Sequence, residues 1–231
     1  MRLAPVKERL KRAFAPWLYP RPVPELAPER LYLYLDVLWR LRDHPGAVVE
    51  IGSYQCGTAA WAYRMLRDIG SERPYVCVDT FGGFIDDQFE RDVASGTAAD
   101  RRNGFGANSR QLVAGLLASW QCDGIQLIEA DIVEMTATML PEAIAVALVD
   151  VDLEVPTLAA LEKLYPRLVR GGAILVDDCN EAGPFRGARV AFRRFVAERE
   201  LPERYTFGMG CIGEVGDPHT VNDRGPVSLE R

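Results

Sequence analysis

The sequence predicts an α/β domain built on a mostly parallel sheet with an antiparallel end. Short apolar runs recur at Ala47–Ile51, Tyr75–Val78, Ile125–Glu129, Ala145–Val149 and Ala173–Val176, each followed by an acidic or glycine-bearing turn. Between several of them, apolar residues return every three or four positions, which is helical spacing. Two further short runs, Tyr205–Phe207 and Cys211–Val215, flank a Gly-Met-Gly turn and predict a closing hairpin.

The stretch Ala145–Cys179 is the most informative. Both of its apolar runs end in aspartates, the first in Asp150-Val-Asp152 and the second in Asp177-Asp178. Between them, Leu158, Leu161, Leu164, Tyr165 and Leu168 mark a helix, with Pro156 in its first turn and Gly171-Gly172 as its stop. A strand–helix–strand crossover makes the two strands parallel and neighbouring. Their carboxyl ends then open on the edge where open α/β sheets bind ligands. Four carboxylates crowded there repel one another and call for a proton or a cation. A hard divalent cation such as Mg²⁺, held by Asp150, Asp177 and Asp178, is one reading. Solvated strand ends and helix caps are the other.

Composition excludes several classes. The 231 residues suffice for one substantial domain, and 48% hydrophobic with 26% charged content is ordinary for a globular chain. A formal net charge of −6 disfavours nucleic-acid binding. No apolar run is long enough to span a membrane, and the N-terminus lacks the apolar centre of a secretory signal. The five cysteines are scattered without a CxxC pair, which argues against zinc and for a reducing, cytoplasmic setting.

Taken in order, residues 1–16 are basic, with Leu3, Val6, Leu10 and Phe14 at helical spacing. That stripe packs on its own domain or meets a partner or membrane surface. Pro20, Pro22, Pro24 and Pro28 predict an extended linker, followed by the helix PERLYLYLDVLWRLRDH with its Leu and Tyr positions in the core. After the first strand, Glu50-Ile-Gly52-Ser53 runs through Gly57-Thr58 into a helix over 58–68. Its glycines permit a tight turn and close ligand approach, but the spacing is not the dinucleotide GxGxxG. Asp79, at the tip of the second strand, is placed either to bind ribose hydroxyls or to form a turn. Residues 82–107 are polar, glycine-rich and weakly periodic, the mark of a lid or of disorder. Asn108 is read as a helix cap, and Asp131 as a partner for an adenine amino group or a cap for a following helix. In the helix over 188–199, Val190, Phe192, Phe195 and Val196 are expected to face inward. His219 is either a base from a folded-over tail or a solvated residue.

A collinear series of motifs resembles the class I S-adenosylmethionine-dependent methyltransferases, and among them the macrocin and mycinamicin sugar O-methyltransferase family. Glu50-Ile-Gly52 with Gly57 is similar to its cofactor loop. Val78-Asp-Thr-Phe-Gly-Gly-Phe84 is similar to its DSFxGL segment. Asp150-Val-Asp152-Leu with Leu164-Tyr-Pro-Arg-Leu168 is similar to DGDLYxSTxxxLxxLYPxL. Gly171-Gly172 through Asp177-Asp178 is similar to GGxxxxDDY. The chain departs from the family pattern at Cys56 and Val151, where glycine is usual, and at Glu154, Pro156 and Cys179.

The resemblance implies a Rossmann-like, seven-stranded fold. The domain would span residues 46–231 behind an N-terminal helical extension over 1–45, with 82–107 as lid. It implies an S-adenosylmethionine pocket lined by Glu50, Gly52, Ser53, Gly57, Thr58, Asp79, Thr80, Asp131 and Asp150. It implies Mg²⁺ on Asp150, Asp177 and Asp178, and Asp152 as base with His219 as the alternative. The acceptor would be a sugar hydroxyl on a small molecule or saccharide, and the family admits a homodimer or larger homo-oligomer. A catechol-type methyltransferase and a non-catalytic cofactor-binding protein are the competing readings.

Overall fold

The structure, a computed structural model, describes residues 21–215. The basic segment 1–16 and His219 lie outside the described residues. Seven strands, β1 (Ala47–Ile51), β2 (Tyr75–Asp79), β3 (Gln126–Glu129), β4 (Ile144–Val149), β5 (Leu168–Val176), β6 (Tyr205–Thr206) and β7 (Met209–Gly213), form one sheet. Their order is β3-β2-β1-β4-β5-β7-β6. β1 pairs in parallel with β2 and β4, and β4 with β5, whereas β7 runs antiparallel to β5 and β6. The predicted neighbours are therefore neighbours, with Val149 level with Val176. Both aspartate-bearing tips emerge side by side.

Every residue of β1 and β4 is buried, as expected of strands covered on both faces. Successive side chains alternate between two apolar layers. Val48, Val146 and Leu148 face one layer with Leu33, Tyr34 and Ala59 from α1 (Pro28–Arg40) and α2 (Gly57–Asp68). Val49, Ala147 and Val149 face the other with Leu161, Leu164, Phe192 and Phe195 from α5 (Glu154–Leu164) and α6 (Gly187–Glu198). Two shorter helices, α3 (Asp86–Ala94) and α4 (Arg110–Ser119), complete the described set.

Several local expectations are corrected. The polar segment 82–107 contains helix α3 and a 3₁₀ turn at Ala99–Arg101. Its anchor is Asp92, 2% exposed, whose carboxylate accepts from the Glu154 amide at the start of α5 and from the Thr97 hydroxyl. Ser109, not Asn108, caps α4, its Oγ accepting from the Leu112 amide. No regular α-helix follows Asp131; a 3₁₀ turn at Ala137–Met139 stands there, and Asp131 Oδ1 accepts from the Val133 amide. Gly171 and Gly172 do not stop the helix, which ends at Leu164 before a 3₁₀ turn with Pro166; both glycines lie inside β5, where its register against β4 shifts. Val190 is exposed, because the buried face of α6 runs through Ala188, Ala191, Phe192, Phe195 and Val196.

Candidate active site

The sheet reverses its winding between β1 and β4: β2 and β3 extend from one side of that pair, β5 from the other. Such a switch point leaves a crevice outside the carboxyl ends of the two strands. A cavity of ≈ 460 Å³ opens there, within the usual size for a small-molecule site.

The β1–α2 turn forms one wall. Gly52 has φ +83°, and a Cβ there would stand 2.0 Å from the Asp150 carbonyl oxygen, so the β1 and β4 tips approach only because no side chain intervenes. Ser53 lines the cavity with its buried Oγ unpartnered among the described residues, a group positioned for a ligand. Asp79 Oδ2 accepts from the Ser53 and Tyr54 amides at 2.8 Å, and Oδ1 from the Phe81 amide at 2.6 Å. Burial raises the Asp79 carboxyl, and these three amides oppose that rise. Thr80 and Thr58 also line the cavity; Thr80 Oγ1 donates to the Gly83 carbonyl, and Thr58 Oγ1 accepts from the Glu25 amide. Asp131 reaches the same cavity, with Oδ2 accepting from Gln88 Nε2 at 2.7 Å. Gly57 is not part of the lining. A Cβ on it would lie 1.7 Å from the Val23 carbonyl oxygen, so its role is to let residues 22–25 cross the start of α2. Glu50 is 1% exposed and accepts from the Tyr75 hydroxyl, which in turn pairs with Tyr34 of α1 at 2.9 Å. Burial pushes Glu50 up to about 7, against the lowering effect of the two tyrosines.

The β4 and β5 tips form the opposite wall. Asp150, Asp152, Asp177 and Asp178 all line the cavity. Burial first, and then the charges of the neighbouring aspartates, hold Asp150 and Asp152 well above the usual carboxylate range. Asp177 is pushed up to about 6 by burial and by Asp178, with Arg30 pulling the other way. Asp152 and Asp178 both have left-handed backbones, φ 64° and 53°. Such strain in non-glycine residues persists only where surrounding structure imposes it.

Sequence reasoning missed the partner of these acids. Arg30, from the third position of α1, donates from Nη1 to Asp177 Oδ1 and Oδ2 at 2.8 and 2.9 Å and to Asp178 Oδ1 at 2.8 Å. Burial lowers the guanidinium pKa, but the two aspartates more than reverse that. A signal was present: Arg30 lies four residues before the buried Tyr34, hence on the helix face that turns inward, where a charge needs a partner. The aromatic wall was also missed. Tyr54, Phe105, Phe84 and Phe185 form a continuous series with ring centroids 5.3, 5.3 and 5.8 Å apart, and all four line the cavity. Asn108 supports this wall by donating to the Tyr54 carbonyl at 2.8 Å.

For Mg²⁺, the donor chemistry of the strand tips fits: Asp150, Asp177 and Asp178 are hard oxygen ligands with too little positive charge beside them. A cation, the Arg30 guanidinium, already sits on two of the three. Among the described residues, no three acidic, histidine or cysteine groups converge on one ion position in this arrangement.

Comparisons with known proteins identify the family and the fold. The family model described as macrocin-O-methyltransferase (TylF) matches residues 38–206, well over half of the chain. The fold is similar to that of the O-methyltransferase NovP, with TM-score 0.67 and 22% identity over 80% of this chain and 78% of that one. It is similar to CalS11, a calicheamicin methyltransferase also described as a TDP-rhamnose 3′-O-methyltransferase. That likeness has TM-score 0.65 and 22% identity over 90% of this chain and 93% of that one. An O-methyltransferase from Bacillus cereus, solved in complex with SAH, aligns at TM-score 0.50 and 12% identity, over 82% of this chain and 78% of that one. No curated protein matches the chain by sequence. The family match spans the glycine turn of β1, the aspartate tips of β4 and β5 and the sheet that sets them face to face, and the chain therefore belongs to the TylF macrocin-O-methyltransferase family, as an S-adenosylmethionine-dependent O-methyltransferase.

Proposed function

We propose that this enzyme methylates a sugar hydroxyl of a glycoside, oligosaccharide or natural product in an Mg²⁺-dependent reaction. The observation that carries the reading is the cavity itself, with the glycine turn and Asp79 on one wall and four aspartates on the other. S-adenosylmethionine would bind along the first wall, where Asp79 would accept from its ribose hydroxyls and Ser53 Oγ, unpartnered among the described residues, would meet a polar group of its amino-acid end. Glu50, Thr58, Thr80 and Asp131 shape the same wall, and Asp150 meets it from the tip of β4.

The acceptor enters between the aspartates and the aromatic series. Segment 82–107 acts as lid, since Phe84 and Phe105 line the cavity and its helix is tied to α5 through Asp92. Aromatic faces suit the C–H surface of a sugar and exclude water. Asp150, Asp177 and Asp178 would hold the Mg²⁺, which when bound would supply a positive charge that acidifies and orients a hydroxyl. Asp152 takes the hydroxyl proton. S-adenosylmethionine would supply an electrophilic methyl group, the acceptor oxygen bonding to it as the sulfur–methyl bond breaks, with the hydroxyl proton left on Asp152. Most of the rate comes from holding oxygen, carbon and sulfur in line, at about 3 Å before reaction. Five buried, unbridged cysteines support a reducing, cytoplasmic setting.

The test is a panel of glycosides and catechols incubated with S-adenosylmethionine, with Mg²⁺ or with chelator. Methylation of glycosides that stops on chelation is the expected result. Preferential methylation of catechols, or transfer that chelator leaves unchanged, would overturn the acceptor or the metal part respectively.

A further inference from the structure

The Asp177–Asp178 pair already holds a cation supplied by the chain. Arg30 Nη1 spans both oxygens of Asp177 and one of Asp178. We propose that this pair is a two-occupant cation site, taken either by the Arg30 guanidinium or by a divalent cation, and never by both. The inference rests on the metal role proposed for the aspartates.

Three observations support it. The first is steric. Both oxygens of Asp177 and one of Asp178 accept bonds of 2.8 or 2.9 Å from a single nitrogen, and a divalent cation needs those oxygens at about 2.0–2.6 Å. Nη1 occupies the position an ion bridging the pair would take. The second is charge. Arg30 brings one positive charge to four carboxylates, and among the described residues no hydrogen bond reaches the Asp150 side chain. One guanidinium leaves the cluster under-compensated, so the site still attracts further positive charge, which a dication would bring. The third is that Arg30 can leave alone. Leu33, Tyr34, Val37 and Leu38 anchor α1 in the core with no exposure. The side chain's other tie is one exposed bond from Nε to the Phe207 carbonyl at 3.3 Å. Rotation of one side chain within the cavity that Arg30 lines completes the exchange.

In the metal-free enzyme, Arg30 then keeps the two strand tips from repelling each other. Its occupancy also weakens apparent metal affinity, by the reciprocal of the fraction of time the pair is free.

The experiment is Mn²⁺ titration, read by electron paramagnetic resonance, of wild type and Arg30→Gln. Calorimetric S-adenosylmethionine binding reports the fold of each. The expected result is Mn²⁺ binding at least about tenfold tighter in Arg30→Gln. On the wild-type chain, the Arg30 Nε–Hε nuclear magnetic resonance signal is expected to move as Mg²⁺ is added, a readout that does not depend on the variant folding. Equal Mn²⁺ affinities with an unmoved Arg30 signal would overturn the exchange and leave the metal role intact. Weaker binding in Arg30→Gln would also overturn it. Absence of Mn²⁺ binding in both proteins would overturn the exchange and the metal role together, while S-adenosylmethionine binding would still report the family assignment.

Discussion

Glu50 sits at the end of a buried chain of hydroxyls, Tyr34 to Tyr75 to its own carboxyl, and it has no compensating cation among its described hydrogen-bond partners. Its pKa rises from 4.5 to about 7 in the fold. The folded state therefore binds this proton more tightly than the unfolded state does. Its contribution to stability is greatest below pH 4.5, falls as pH rises towards about 7 and is flat above that. Glu50→Gln removes the slope and is expected to stabilise the protein at pH 8 by on the order of 3 kcal/mol, at about 1.36 kcal/mol per pKa unit. Urea melts of both proteins at pH 5 and pH 8 measure it; parallel changes in the two would contradict the assignment. For Asp178→Asn, loss of turnover is expected in a protein that still unfolds cooperatively, because Asp177 retains two of the three Arg30 bonds. Normal turnover would remove Asp178 from the site. Residues of this kind were legible in different degrees. The strand-end aspartates could be read because an apolar run that stops in acids marks its own end. Arg30 could not be paired with them, because its partners lie 147 and 148 positions away.

Gly57 shows how an element can be read correctly for an incomplete reason. The glycine turn before α2 was legible, but nothing local to it reveals that the Val23 carbonyl rests against it. Residues 22–25 are held there by Trp61 Nε1 donating to the Pro22 carbonyl and by the Glu25 amide donating to Thr58, so the predicted linker is a strap over the start of α2, beside the proposed cofactor wall. Gly57→Ala should lift this strap, destabilise the fold by about 1–3 kcal/mol and weaken S-adenosylmethionine binding. Hydrogen exchange at the Glu25 amide measures the first effect: faster exchange is expected, and unchanged protection would place the strap's hold elsewhere. Helix α3 was hidden for another reason. Its mean composition is polar, and its place is fixed by two buried side chains, Phe89 and Asp92, with Asp92 capping a helix start 62 positions on. Periodicity sees apolar stripes and misses an anchor made by one carboxylate. In β5 the two glycines signalled a break, yet pairing with β4 and β7 on either side carries the strand through them.

At the scale of the molecule, alternation of apolar runs and amphipathic helices was enough to predict a mostly parallel sheet with an antiparallel end. The strand order adds what the linear chain does not display. It puts the β1 turn beside the β4 tip, so that Gly52 touches the Asp150 carbonyl and the proposed cofactor and acceptor walls share one opening. Proton transfer to Asp152 is the step proposed for this arrangement, and Asp152→Asn tests it with little risk to the fold, since asparagine tolerates the left-handed backbone at φ 64°. The measurement is single-turnover methyl transfer to a glycoside acceptor at saturating S-adenosylmethionine, with cofactor affinity measured alongside. A rate lower by about 10²–10⁴-fold at unchanged cofactor affinity is the expected result. A rate within about threefold of wild type, well short of what a lost general base costs, would contradict the assignment of Asp152 and with it the proposed orientation of the acceptor.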